Sequence, residues 1–220
     1  MLDSRDKLGD KGAMKRTRLT REIIIEESIR LLGEEGMDGV NLRTLAHRLA
    51  VRAPSLYWHF PDKATLLAEV KCQLFQRALE SVPHTTDWRS WMRHFGAAIW
   101  KSLDSVRDSG RLISTTTLTQ EQYERLIALA RARISTLNIP LEEGIRLQWS
   151  IQVLLYGWSI YAHAPSSSVM ARTLKFRSRA MQDVETLISG AAARIHSRTT
   201  AGADEAKLRR RQSRARPPKT

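Results

Sequence analysis

The sequence predicts an all-α protein, with an amino-terminal helix-turn-helix unit of three small helices followed by a larger helical bundle. Two observations carry that expectation. Apolar residues recur at helical spacing along most of the 220 residues, and no alternating strand-like run is flanked by turn signals. Good capping residues, Thr20, Asn41, Asp62 and Thr119, stand where the helical stripes begin. Composition agrees: 42% hydrophobic and 27% charged residues are those of a soluble globular chain.

Taken in order, Thr20 opens a helix over 20–35 with Ile25, Ile29 and Leu32 on one stripe, and the glycines of "GEEGMDG" end it. Asn41 caps a short second helix bearing Leu42, Leu45, Ala46 and Leu49. A third helix spans 54–60, with Pro54 in its first turn, where a missing N–H costs nothing. Asp62 starts a longer helix carrying Leu66, Leu67, Val70, Leu74 and Phe75. After "SVPHTT" at 81–86, residues 87–105 carry Trp88, Trp91, Met92, Phe95, Ile99 and Leu103. Thr119 and Gln122 have capping-box spacing and open a helix to about Thr136. "NIP" at 138–140 precedes a helix over 141–163 that is apolar nearly all round: Ile145, Trp149, Val153, Tyr156 and Ile160 on one side, and Leu147, Ile151, Leu154, Leu155 and Trp158 on much of the rest. Such a helix must be covered on every side. Leu174, Met181, Val184, Ile188, Ala191 and Ile195 form a later seam suited to a partner helix, and the two helices together predict a twofold dimer.

The expected division is a charged arm over 1–17, a helix-turn-helix domain over 18–63, a larger helical domain carrying the dimer-forming helices over 64–198, and a disordered basic tail over 199–220. Charge follows that division unevenly. Of the net +13, residues 1–63 contribute +2 and residues 64–206 contribute +4, while "KLRRRQSRARPPKT" supplies the remaining +7. A basic tail solubilises or attracts polyanions weakly, so total charge alone does not argue for specific nucleic-acid binding. No window holds the roughly 18 uninterrupted apolar residues of a membrane span. The first 18 residues lack a signal peptide's apolar middle. Cys72 is the lone cysteine, which excludes an internal disulfide and fits the reducing cytoplasm as the expected location. No Cys/His group has zinc-site spacing, and no cofactor is expected.

The stretch "VRAPSLYWHFPDKATLL" at 51–67 raises the functional question, because Tyr57, Trp58, His59 and Phe60 are consecutive and cannot all face a core. Helix 41–49, the turn "AVRA" and helix 54–60 have the layout of a helix-turn-helix, whose second helix can enter a DNA major groove. Leu56 and Phe60, four apart, face Leu45 and Leu49. Ser55, Trp58 and His59 then point away, with Tyr57 at the margin. Arg52 and Lys63 flank the helix, where long cations reach phosphates.

"LRTLAHRLAVRAPSLYWHFPDKATLL" resembles the DNA-binding domain of TetR-family transcriptional regulators, close to the tetracycline-repressor class. "TQEQYERL" and "PLEEGIRLQWS" are similar to that class's carboxy-terminal domain, so the resemblance covers roughly residues 18–163. It implies a homodimeric repressor that reads a palindromic double-stranded operator and releases it when a small molecule binds the larger domain. On matching positions it implies DNA contacts from Arg43, Pro54, Ser55, Tyr57, Trp58, His59 and Lys63. The Arg43 guanidinium suits a guanine edge, and Pro54 a thymine methyl. Arg52 stands where the class has an acidic residue, so a different operator is expected. Ala50 replaces the usual turn glycine, at a cost of about 1–2 kcal/mol if the backbone there is left-handed.

The resemblance also implies a magnesium–tetracycline site, and the residues here argue against it. A gapless match puts Leu79, Phe95, Ile113 and Leu129 at four polar contact positions, with Ile113 where imidazole would ligate the metal. "IYAHAPSSS" offers no carboxylate cluster, and His84, His94 and His163 lack helical metal spacing. Phe95, Ile99, Ile113 and Leu129, with Trp149 and polar Thr116, are instead the candidate lining of an apolar effector pocket, or simply core. Two rival functions remain. A sequence-nonspecific architectural DNA binder would depend on residues 207–220 and on salt. An enzyme would need a motif such as G-x-S-x-G, H-E-x-x-H or a phosphate-binding glycine loop, and none is present.

Overall fold

The computed structural model of the chain describes residues 18–164 and 175–214; the expected arm over 1–17, Leu174 of the seam and the tail beyond Arg214 lie outside the described residues. Among the described residues the secondary structure is helical throughout. The order is α1 (Arg21–Gly39), α2 (Leu42–Arg48), α3 (Ala53–Tyr57), α4 (Lys63–Glu80), α5 (Trp88–Asp104), α6 (Ser109–Thr115), α7 (Gln120–Ile134), α8 (Leu141–Ala162) and α9 (Phe176–Arg214). None of these helices is long and apolar enough to cross a membrane.

The four expected caps are in place. Thr20, Asn41, Asp62 and Thr119 each accept a hydrogen bond from the backbone N–H three residues on, and Gln122 completes a capping box with Thr119. Within "GEEGMDG" the chain breaks at Gly36, whose φ of 73° is a left-handed conformation suited to glycine. One further turn of helix then follows to Gly39. Ala50 does adopt a left-handed backbone, with φ 53°.

Two cores result. The first gathers Ile24, Leu31 and Leu32 of α1, Leu45 of α2, Leu56 and Phe60, and Leu66 and Val70 of α4. Val106 and Leu112, from the α5–α6 region, belong to it as well, so the small unit closes against the larger one. A unit of this size buries too little by itself. The second core joins Phe75 and Leu79 of α4 to Trp91, Phe95 and Ile99 of α5, Ile151 and Leu155 of α8, and Val184 and Ile188 of α9. Helix α4 therefore runs through both cores, and the boundary expected at 63/64 is its first turn.

Two expectations about the late helices change. Val184, Ile188 and Ala191, expected to meet a partner helix, are buried in the chain's own core. Gly96 permits this: a Cβ there would stand 3.3 Å from Val184 Cγ1. Met181 and Ile195 are partly buried beside them. Helix α9 spans Phe176–Arg214, across the expected boundary at 198/199. On α8 the Leu147–Ile151–Leu155 side is covered within the chain, whereas Trp149, Val153, Ile160 and Tyr161 are exposed. Helix α6 has no counterpart in the sequence reading. It is short and lies against α8, with Ser109 and Ser159 hydroxyls 2.9 Å apart.

Candidate nucleic-acid interface and effector pocket

In the second half of the helix-turn-helix, α3 is a five-residue helix that ends at Tyr57, shorter than the predicted 54–60. The amides of His59 and Phe60 both donate to the Leu56 carbonyl at 2.9 Å, so the chain winds tightly for one more turn. That turn buries Leu56 and Phe60 completely. Helical geometry then throws the intervening side chains outward: Tyr57 is 49% and Trp58 90% exposed. Arg43, Arg52 and Pro54 are exposed, and Ser55, His59 and Lys63 are partly covered. Arg43, Tyr57 and Lys63 border one shallow concavity with Asn41 and Asp62. The Lys63 ammonium donates to the Met37 carbonyl, which anchors it at the edge of this surface.

The surface is held from behind by groups the sequence reading did not single out. Arg21 lies over the Phe60 ring, 4.3 Å from its centroid, and donates to the His59 carbonyl. Arg48 pairs with Glu27 and Glu34 at 2.6 Å each, tying α2 to α1; these hydrogen bonds hold its pKa above the ordinary arginine value. The signal for Arg48 was in the sequence: a cation on the last turn of a short helix opposite the acid-rich 26–35 stretch.

A second set of contacts joins this unit to α6. The Met37 amide donates to Asp108 Oδ2 at 3.1 Å. Arg111 pairs with Asp38 at 2.9 Å, and the hydrogen bond from Arg111 lowers the Asp38 pKa. Asp108 itself has a left-handed φ of 62°. A Cβ on Gly36 would stand 2.3 Å from the Asp108 carboxylate, so the close approach depends on that glycine.

Beyond α6 lies a pocket of ≈ 240 Å³ between α4, α6, α7 and α8. Of the candidate effector-pocket residues, Ile113 and Trp149 line it. Ile99 instead lines an adjoining recess of ≈ 30 Å³, which Ile113 shares. Phe95 is fully buried and stacked on Trp91, with centroids 5.3 Å apart, and reaches neither cavity. Leu129 packs on the second core. Thr116 lines neither cavity; its carbonyl accepts a hydrogen bond from Lys71 Nζ at 2.9 Å.

The structure adds Lys71, Phe75, Gln148, Gln152 and Tyr156 to the pocket. Lys71 could have been found from spacing, since it follows Leu67 by four residues and precedes Phe75 by four on an apolar stripe. Burial lowers its pKa. Gln148 donates to Gln152, and Gln152 to the Tyr156 hydroxyl, both at 2.7 Å. Burial pushes the Tyr156 phenol up to about 12. Among the described lining residues there is neither imidazole nor carboxylate, so this pocket does not fit a hard divalent cation, which takes oxygen ligands.

Comparison with known proteins follows the same division. Residues 24–70 match the model of the bacterial regulatory proteins, tetR family. Over 116 residues the chain is 35% identical to the tetracycline repressor protein class C of Escherichia coli, covering 52% of this chain and 53% of the relative. Over 142 residues it is 30% identical to the class E protein of Escherichia coli, covering 64% and 67%. The chain thus spans about half the length of most of the curated relatives it matches. The crystal structure of TetR from Acinetobacter baumannii AYE has a similar fold, with a TM-score of 0.64 at 23% identity over 81% of this chain and 99% of that one. With the amino-terminal match, the extended identity to the class E protein and the shared two-part helical fold, the chain belongs to the TetR family of bacterial regulatory proteins.

Proposed function

We propose that this chain is a transcriptional repressor that binds a palindromic DNA operator as a homodimer and is released by a small, largely hydrophobic effector. The observation that carries the reading is the turn at 56–60. Two fully buried residues, Leu56 and Phe60, hold an exposed Tyr57–Trp58 pair outward, with Arg43, Arg52, Pro54, Ser55, His59 and Lys63 around it. Apolar and hydroxyl groups there suit base edges, and flanking cations suit phosphates. Exposed Val153, Ile160 and Tyr161 on α8 provide an apolar surface for a second copy.

Release works through geometry. Ile113 faces the pocket, and Arg111, one half-turn earlier on α6, holds Asp38 in the helix-turn-helix unit. An effector that prefers one position of α6 shifts the 107–111 turn against the 34–38 end of α1, and with it the separation of two heads. It does so only to the extent of its differential affinity for the two arrangements. Half-sites about one DNA turn apart tolerate little error.

Selection of bound sequences from a random DNA pool tests the function. A palindrome with half-sites about one turn apart is the expected result. Enrichment of no sequence, with binding abolished by deletion of 207–220, would instead make the chain a nonspecific architectural binder.

A further inference from the structure

We propose that the effector is an aromatic acid whose anionic oxygen is held by Lys71 and Tyr156 at the junction of the two cavities, with its ring system in the larger one. The inference rests on the effector-pocket reading above and names the ligand chemistry that pocket selects.

Four residues, Lys71, Phe75, Ile113 and Tyr156, line both the ≈ 240 Å³ chamber and the ≈ 30 Å³ recess. The chamber's remaining wall is mostly apolar and aromatic, including Leu126, Ile127 and Trp149. Into this wall the chain places a half-covered ammonium. Among the described residues no carboxylate pairs with Lys71; its recorded partners are the carbonyls of Ile113 at 3.0 Å and Thr116 at 2.9 Å. An ammonium carries three protons, so two carbonyls leave one unassigned. A cation with only neutral partners in an apolar setting gains most from a counter-ion.

Tyr156 supplies the second donor. Its oxygen accepts from Gln152, which leaves its own proton to give. A phenol is protonated at neutral pH, and burial raises the pKa of this one further. The Gln148–Gln152 bond in turn fixes the amide that orients the hydroxyl. Two donors that both line the two cavities, with no acidic group lining either among the described residues, select an anionic acceptor and disfavour a cation. The narrow recess has room for a group the size of a carboxylate, and the chamber for a flat ring system.

The same contacts join binding to release. Lys71 bridges α4 to the carbonyls at the carboxy-terminal end of α6, on either side of the α6 terminus at Thr115. An acid bound to the remaining proton joins the same ammonium that ties α4 to α6, so its binding is felt at that junction.

Calorimetric titration of the full chain with 2-naphthoate, its neutral isostere 2-naphthamide and the cation 2-naphthylmethylammonium tests the proposal. The expected order is naphthoate first, by about tenfold or more over the amide, as for a hydrogen bond to a charged group. Lys71→Met should erase that preference by weakening naphthoate at least tenfold more than naphthamide, whose remaining binding reports an intact pocket. Equal affinity of naphthoate and naphthamide for the native chain would overturn the aromatic-acid assignment and leave the pocket reading standing. Tightest binding by the cation would do the same. Binding of none of the three would overturn both.

Discussion

In the helix-turn-helix unit the proposed DNA-contacting groups stand outside a closed core; in the proposed effector pocket the polar groups stand inside an incomplete one. Trp58 is almost entirely exposed because its neighbours two residues away on either side, Leu56 and Phe60, are fully buried. Lys71, by contrast, lies on the core-facing stripe of α4 and is tolerated there by two backbone carbonyls. The head needs rigidity behind a variable surface, and it has that from Arg21 over Phe60 and from the Arg48 pairs. The pocket needs unfilled space, which four helices leave by meeting imperfectly. A substitution in the head therefore separates function from stability more cleanly than one near the pocket.

The largest effect should come from splitting the head's two roles. Phe60→Ala should lower unfolding free energy by about 3–5 kcal/mol, the usual cost of truncating a buried phenylalanine. Trp58→Ala should change it by less than about 0.5 kcal/mol while weakening binding to the selected operator. Urea titration beside an operator-binding assay reads both, and a Trp58→Ala protein as unstable as Phe60→Ala would break the contrast. Next, Gly110→Ala should cost about 1–3 kcal/mol by overpacking. Its Cβ would come within 2.9 Å of the Ile160 Cα, a backbone atom that cannot rotate away. Urea unfolding measures it, and operator binding by the folded fraction should persist.

A gain is expected at Ala50. Replacing it with glycine removes left-handed strain of about 1–2 kcal/mol and adds backbone entropy to the unfolded chain worth about 0.4–1 kcal/mol. The net is a stabilisation of up to about 1.6 kcal/mol, visible as a raised midpoint in urea. The smallest effect concerns acid. Hydrogen bonds from Arg48 to Glu34, from Arg111 to Asp38 and from the Thr65 amide to Asp62 lower all three carboxyl pKa values in the folded state. Their stabilisation is complete above the unfolded values and is lost as pH falls through the folded ones. Melting temperature should thus fall below about pH 4, and Asp38→Asn should make that fall shallower.

The head was legible because its signals are local. Capping residues three positions from the amides they satisfy, Pro54 in a first turn and a four-residue Leu56–Phe60 spacing all act within one or two helical turns. Even so, the bond from Lys63 to the Met37 carbonyl was not legible, because that partner is 26 residues away. The late helices were misjudged for a related reason. A seam such as Val184–Ile188–Ala191 declares that something covers it, but not whether that is another chain or α5 and α8 of the same one.

By itself, then, the sequence determined the helical class, the helix starts and the outward turn at Trp58, since each follows from contacts between residues close along the chain. Tertiary structure alone decided that Phe95 is core rather than lining, that α6 exists and is tied to α1, and that Lys71 and Tyr156 line the same cavity. Those facts depend on how helices separated by tens of residues approach one another. That approach is settled by side-chain volume and a missing Cβ at Gly36, Gly96 and Gly110, and periodicity does not encode it.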